Sequence, residues 1–182
     1  MTLSGALRRR GVHEIELGTT LADLAERAGP TEPISAYLVG GYFGGWVSAD
    51  EAPALRLTPD VLGAGAIVAF PASACPMAES ARVLRYLSGQ SAGQCGPCTY
   101  GLAAIATAVE GLTRGDGSAG PDQLRRWAGM IAGRGACRHP DGAVRFLSSV
   151  LKVFPHELDR HARYGRCDAK PLRVLPLPER TA

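Results

Sequence analysis

The hydrophobic positions of this 182-residue chain change their period near residue 76. Upstream, apolar residues alternate over short stretches. Val12-His13-Glu14-Ile15-Glu16-Leu17 reads as an edge strand, Ile34 to Val39 as a second strand and Ile67-Val68-Ala69-Phe70 as another. Between the first two, Thr20 with Asp23 three residues on gives a capping-box-like start to a helix. That helix carries Leu21, Leu24 and Ala28 on one face and stops at Gly29-Pro30. Residues 12–74 thus predict a small α+β unit with a helix on one face of its sheet.

From Pro76 onward the apolar residues recur at helical spacing. Met77, Ala81, Leu84 and Leu87 form one stripe, and Leu102, Ile105, Val109 and Leu112 a second. Leu124, Trp127, Ala128 and Ile131 form a third, opened by Gly120-Pro121-Asp122, and Val144, Leu147, Leu151 and Phe154 a fourth, opened by Pro140-Asp141. Four amphipathic helices with short links bury their stripes best as an antiparallel bundle, here over residues 75–167. Pro155 should kink the last helix, the Gly-rich 111–120 stretch should be a flexible link, and the Pro-rich tail over residues 168–182 should be extended. Nearly all stripe residues are expected to be plain core.

Composition narrows the class. With 46% hydrophobic and 20% charged residues the chain reads as a soluble globular protein, and no apolar run approaches the roughly 20 residues that span a bilayer. Arg8-Arg9-Arg10 is not followed by an apolar stretch, so no secretory leader is expected. The net charge of +3 rests on scattered basic residues, and aromatics are only 6%, which argues against nucleic acid as a partner. Five cysteines without a leader point to a reducing, cytoplasmic setting, where paired Cys more often mean metal or redox chemistry than structural disulfides.

Topology gives those cysteines a location. In an up-down bundle the junction of helices one and two lies at the same end as that of helices three and four. Cys95 and Cys98 sit at the first junction and Cys137 at the second, so the three thiols should converge. A helix starting near Cys98 would turn its free N–H groups and positive end toward them. Gly89, Ala92, Gly93 and Gly96 leave room for backbone N–H···S contacts. Several chemistries fit: an iron–sulfur cluster, a zinc site of Cys95, Cys98, Cys137 and His139, or a thioredoxin-type dithiol from Cys95-Gly96-Pro97-Cys98. Cysteines packing merely as small hydrophobes are the plain alternative. A thioredoxin-type motif should follow a strand, whereas here a helix and Ser91-Ala92-Gly93-Gln94 precede it. By the same logic Cys75 and Cys167 fall at the opposite end. They could pair under oxidation, although two unrelated thiols are the simpler expectation.

The run Ser91-Ala92-Gly93-Gln94-Cys95-Gly96-Pro97-Cys98-Thr99-Tyr100-Gly101, with Cys137 later, resembles the cluster loop of the F subunit of NADH-quinone oxidoreductase. That protein is the NADH-oxidising flavoprotein of respiratory complex I, and NAD-linked hydrogenases and formate dehydrogenases share its loop. The family pattern is Ser-Cys-Gly-x-Cys-x-Pro-Cys-Arg-x-Gly with a fourth Cys before the last bundle helix. Cys95, Cys98 and Cys137 match three ligand positions; Ala92 stands at the first, and Thr99 replaces the Arg. The upstream stretch with Tyr37-Leu38-Val39-Gly40-Gly41 resembles the family's SLBB β-grasp module.

The resemblance implies a fold of a small β-grasp (SLBB-like) domain, residues 12–74, followed by the four-helix iron–sulfur domain, residues 75–167. It implies a cluster of the 4Fe-4S type, or 3Fe-4S given Ala92, on Cys95, Cys98 and Cys137. Ser91 and His139 are candidate fourth ligands, with His139 more simply a solvent-facing loop histidine. No Gly-rich phosphate loop precedes the β-grasp segment, so the chain is not expected to oxidise NADH by itself. It should be an electron-transfer component, with a flavoprotein, a ferredoxin or a membrane electron carrier as redox partner, without direct membrane insertion and at most peripheral to a membrane complex. The alternatives are a cluster-free scaffold module, or a zinc or dithiol redox protein.

Overall fold

The computed structural model describes residues 1–116 and 119–178. Residues 117, 118 and 179–182, and with them part of the 111–120 link and the end of the tail, lie outside the described residues.

The N-terminal half is a five-stranded sheet of β1 (Thr2–Gly5), β2 (Gly11–Val12), β3 (Ile34–Val39), β4 (Gly45–Ser48) and β5 (Ala66–Pro71), in the spatial order β2-β1-β5-β3-β4. β1 and β5 run parallel at its centre, and the other neighbours pair antiparallel. The expected edge strand at Val12–Leu17 is cut back to Gly11–Val12. The partner it needs is Thr2–Gly5, upstream of the expected segment. Helix α1 (Leu21–Ala28) forms as expected: the Thr20 hydroxyl accepts from the Asp23 N–H, and Gly29 closes the end at φ 72°. A four-residue helix, α2 (Pro59–Leu62), leads into β5.

The strands divide their side chains strictly between two layers. Tyr37, Val39, Ile67 and Ala69 point to the side of α1, where they pack with Leu21, Leu24 and Leu57. Ala36, Leu38, Val68 and Phe70 point the other way and join one continuous core with the helices that follow. Trp46 sits at the seam, its ring centroid 5.1 Å from Phe70, 6.2 Å from Phe146 and 5.3 Å from Phe154.

The C-terminal half holds α3 (Pro76–Gly89), α4 (Ala103–Arg114), α5 (Pro121–Ile131), α6 (His139–Val153) and α7 (Pro155–Tyr164). α3 packs on α4 and α6, and α5 on α6 and α4. The four apolar stripes are buried as expected apart from Trp127, which is half-buried. Pro155 ends α6 instead of kinking it. Phe154, the residue before it, leaves helical geometry at ψ 46°, because the proline ring crowds a helical conformation at that position, and α7 starts afresh. No described helix is long and apolar enough to cross a membrane.

The described part of the tail is extended and docked along α3. The buried Glu79 carboxylate accepts from the N–H groups of Val174 (3.1 Å) and Leu175 (2.8 Å) and pairs with Arg82 at 2.6 Å. Leu175 is buried beneath this clasp. Glu79→Ala would leave Arg82 and two backbone donors without their partner. It is expected to lower unfolding stability by about 3 kcal/mol and to raise amide hydrogen exchange at residues 170–177. Unchanged exchange there would contradict the clasp.

Candidate functional site

Three tethers bring residues 133–139 back to the tip where α3 gives way to α4. The His139 ring lies at the first position of α6 with Nε2 2.8 Å from the carbonyl oxygen of Leu87, in the last turn of α3. A carbonyl only accepts, so Nε2 carries the proton. His139 is therefore half-buried and bonded, not solvent-facing, and its ring packs edge-on against Phe43 at 5.3 Å. Gly101 supplies the second tether: a Cβ there would lie 2.6 Å from Ile131 Cδ1, so the glycine lets the Ile131 side chain at the end of α5 pack directly on it. The third is electrostatic: the Ala136 backbone N–H is the main influence that lowers the Cys95 thiol.

Cys95 and Cys98 are carried into the site by an irregular turn. The helix expected from about Cys98 begins as a π-helical turn over Pro97–Leu102 and becomes regular only at Ala103. Such turns are rare and concentrate at functional sites. The Thr99 N–H bonds the Cys95 carbonyl at 2.9 Å, and the Thr99 hydroxyl donates to the Gly93 carbonyl at 2.9 Å. The position that matches the family arginine thus closes the loop on itself. Ala92 is exposed and brings no ligating atom.

The sulfurs differ in electrostatics. The N–H groups of Ala136 and Cys98 hold the Cys95 thiol below the ordinary range. Burial pushes Cys98 up, the neighbouring Cys95 and Cys137 add to the rise, and the Ser91 hydroxyl bonded to it works the other way. Cys137 is exposed. The influence of Cys137 on Cys98 thus reaches across the two chain segments. Among the described residues, the only group of three or more Cys, His, Asp or Glu ligand atoms lying within 4.8 Å of one another is Cys75, His161 and Cys167. The three thiols at the tip are spread wider than that. A helix, α3, precedes Cys95 where a thioredoxin-type motif requires a strand. Cys75 and Cys167 are close together, with His161, a residue that sequence reasoning passed over, beside both.

Residues 78–161 match the family described as NADH-ubiquinone oxidoreductase-F iron-sulfur binding region. Over these residues the helical part of the chain is similar to that family. Its iron–sulfur binding region spans both cysteine segments, and the donors present fit such a group: three thiols, one of them held toward thiolate by two N–H groups. The whole chain is similar to the NADH-quinone oxidoreductase F subunit 2 of Rhizobium meliloti, at 29% identity over 91% of this chain and 42% of the relative. It is also similar to the corresponding F subunit of Streptomyces coelicolor, at 25% identity over 99% of this chain and 42% of the relative. The Escherichia coli F subunit is 35% identical over 41% of this chain and 17% of the relative. The chain thus spans well under half the length of these curated relatives. Its fold is that of part of a NAD+-reducing [NiFe]-hydrogenase, with a TM-score of 0.80 and 23% identity over 96% of this chain and 30% of that one.

The sulfur environments set an order of reactivity. In the metal-free chain near pH 7, Cys95 holds more thiolate than an ordinary thiol and Cys98 less. Iodoacetamide is therefore expected to modify Cys95 roughly tenfold faster than Cys98, read by peptide mass spectrometry over a pH series. Equal rates for the two would contradict the assigned N–H···S contacts.

Proposed function

We propose that this chain carries an iron–sulfur cluster on Cys95, Cys98 and Cys137 and relays single electrons as a component of a redox complex related to NADH-quinone oxidoreductase. The observation that carries the proposal is the return of the segment before α6 to the end of α3, where His139 Nε2 lies 2.8 Å from the Leu87 carbonyl oxygen, next to the turn that carries Cys95 and Cys98. When bound, the cluster supplies a reversible one-electron centre. The four helices α3 to α6 act as an antiparallel bundle that presents the site at its end, and the β-grasp-like sheet docks a partner.

The protein's share is to hold and tune. Ala136 and Cys98 direct N–H groups at Cys95, which stabilises negative charge on sulfur and shifts the potential upward. Ala92 leaves one ligand position of the family without a thiol. A four-iron group there would keep one iron open to an outside ligand, and a three-iron group would have no such corner. His139 gives its Nε2 proton to Leu87, which leaves the Nδ1 lone pair free, and Ser91 lies beside Cys98, so both are candidate protein donors for an open corner. The electron donor and acceptor are proteins of the flavoprotein, ferredoxin or membrane-carrier class, met in the cytoplasm or at a membrane surface. NADH oxidation belongs to other parts of such a complex.

Anaerobic isolation tests this. Iron and sulfide quantification with EPR is expected to give about three to four of each per chain, and Cys98→Ala or Cys137→Ala should abolish the signal. Ala92→Cys is expected to slow loss of the brown colour in air by roughly tenfold, by closing the open position. A colourless chain without iron or sulfide, isolated anaerobically and still colourless after reconstitution, would overturn the proposal.

A further inference from the structure

A second ligand set lies at the other end of α3. Cys75 caps the start of that helix, His161 comes from the last turn of α7, and Cys167 follows it in the chain. The Cys75 and Cys167 sulfurs and a ring nitrogen of His161 all lie within 4.8 Å of one another. α3 has 14 residues, so at 1.5 Å per residue the set stands about 20 Å from the thiols at the far end.

The chemistry of this group is unusual for a core. Cys75 is 3% exposed and His161 4%. His161 Nε2 is 3.3 Å from the Cys75 sulfur, while Nδ1 is 3.4 Å from the carbonyl oxygen of Leu112. That carbonyl accepts only, so the ring proton resides on Nδ1 and the Nε2 lone pair faces the sulfurs. A carbonyl behind the far nitrogen is the usual support of a metal-ligating histidine. Burial pushes the Cys75 thiol up to about 12, so it keeps its proton until an ion displaces it, and the Ala78 N–H at 3.3 Å is a donor poised for the thiolate then formed. Cys167 is half-buried and lines a cleft with Glu157, Arg160 and Asp168, which gives an ion a way in.

We propose that Cys75, His161 and Cys167 form a binding site for one zinc-class divalent ion, separate from the cluster. Two sulfurs and one imidazole make a three-ligand set of the Cys2His kind, with water in the fourth position on the cleft side. Binding replaces two thiol protons by one divalent ion, the protons leave to solvent, and two thiolates neutralise the ion, which removes the penalty of burying its charge. The ion fastens three segments: the exit from β5, the end of α7, and the strand-like stretch that follows Cys167. Cys75 N–H already bonds the Lys170 carbonyl at 2.7 Å, so the ion would complete a junction that the backbone begins.

The test uses the full chain with Cys95→Ala, Cys98→Ala and Cys137→Ala, which leaves Cys75 and Cys167 as the only thiols. After phosphine reduction and anaerobic addition of Co2+, one equivalent is expected to produce thiolate-to-cobalt charge-transfer absorption, which Zn2+ displaces. Adding Cys167→Ala, at a half-exposed position that keeps the fold by circular dichroism, should weaken Co2+ binding by at least about 100-fold. The unsubstituted chain provides an independent readout, about one zinc per chain by elemental analysis, lost in Cys167→Ala. A folded triple variant with two titratable thiols but no charge-transfer band, undiminished binding after Cys167→Ala, or a Cys75–Cys167 disulfide resistant to the phosphine would overturn the site.

Discussion

The return of the segment before α6 to the tip of α3 and α4 is the constraint on which the proposed cluster site depends. Neither cysteine segment holds the geometry alone. Cys95 and Cys98 lie in a π-helical turn that is intrinsically less favourable than regular helix, and Cys137 lies exposed in a loop. Contacts between the segments fix both. His139 bonds Leu87 across the junction, and Gly101 makes room for Ile131. Asp141, accepting from the Gly133 N–H at 2.8 Å, closes the second loop on itself. The Ala136 N–H belongs to the segment these contacts bring back and lowers the Cys95 thiol, so positioning and electrostatic tuning meet there.

Sheet and helices are not independent supports for this tip. The face of the sheet away from α1 shares its core with α3 and α6, and Trp46 is the pivot. Its backbone N–H donates to the Ser149 hydroxyl at 2.9 Å, and that hydroxyl donates to the Phe146 carbonyl at 2.7 Å. Phe43, in the turn just before β4, sits over Gly142, where a Cβ would come within 2.4 Å of its ring, and beside His139. The Gly-rich turn of the sheet thus reaches the start of α6, whose first residue holds the cysteine loop. A partner docking on this side of the sheet would touch elements in direct contact with the cluster site.

Much of this is legible in the sequence. The helices show in stripes such as Met77, Ala81, Leu84 and Leu87, because burial on one face leaves a 3.6 period that local chemistry rarely imitates. The expectation that Cys95, Cys98 and Cys137 meet rests on helix count and short links alone; the structure returns the Cys137 segment to the end of α3 through His139 and Leu87. What escapes has no local signal. β1 places one large side chain, Leu3, in the core, so no alternation shows, and it exists because β5 and β2 pair with it. β4 hides in a glycine-rich run and is a strand only beside β3. The π-helical turn has the same residue types as an ordinary helix start. His161 lies in a polar helix, Pro155–Tyr164, and its meaning comes from Cys75 and Cys167, which only the fold brings near.

The meeting of the two cysteine segments is most directly measured in the metal-free chain by short-range thiol cross-linking. With Cys75, Cys98 and Cys167 changed to Ser, only Cys95 and Cys137 remain, and a short bifunctional reagent that fluoresces after joining two sulfurs reports their proximity. The account predicts rapid fluorescence in a monomeric chain, with a single bridged peptide pair linking Cys95 to Cys137. Two singly modified thiols without a bridge, in a chain that is otherwise folded, would contradict it.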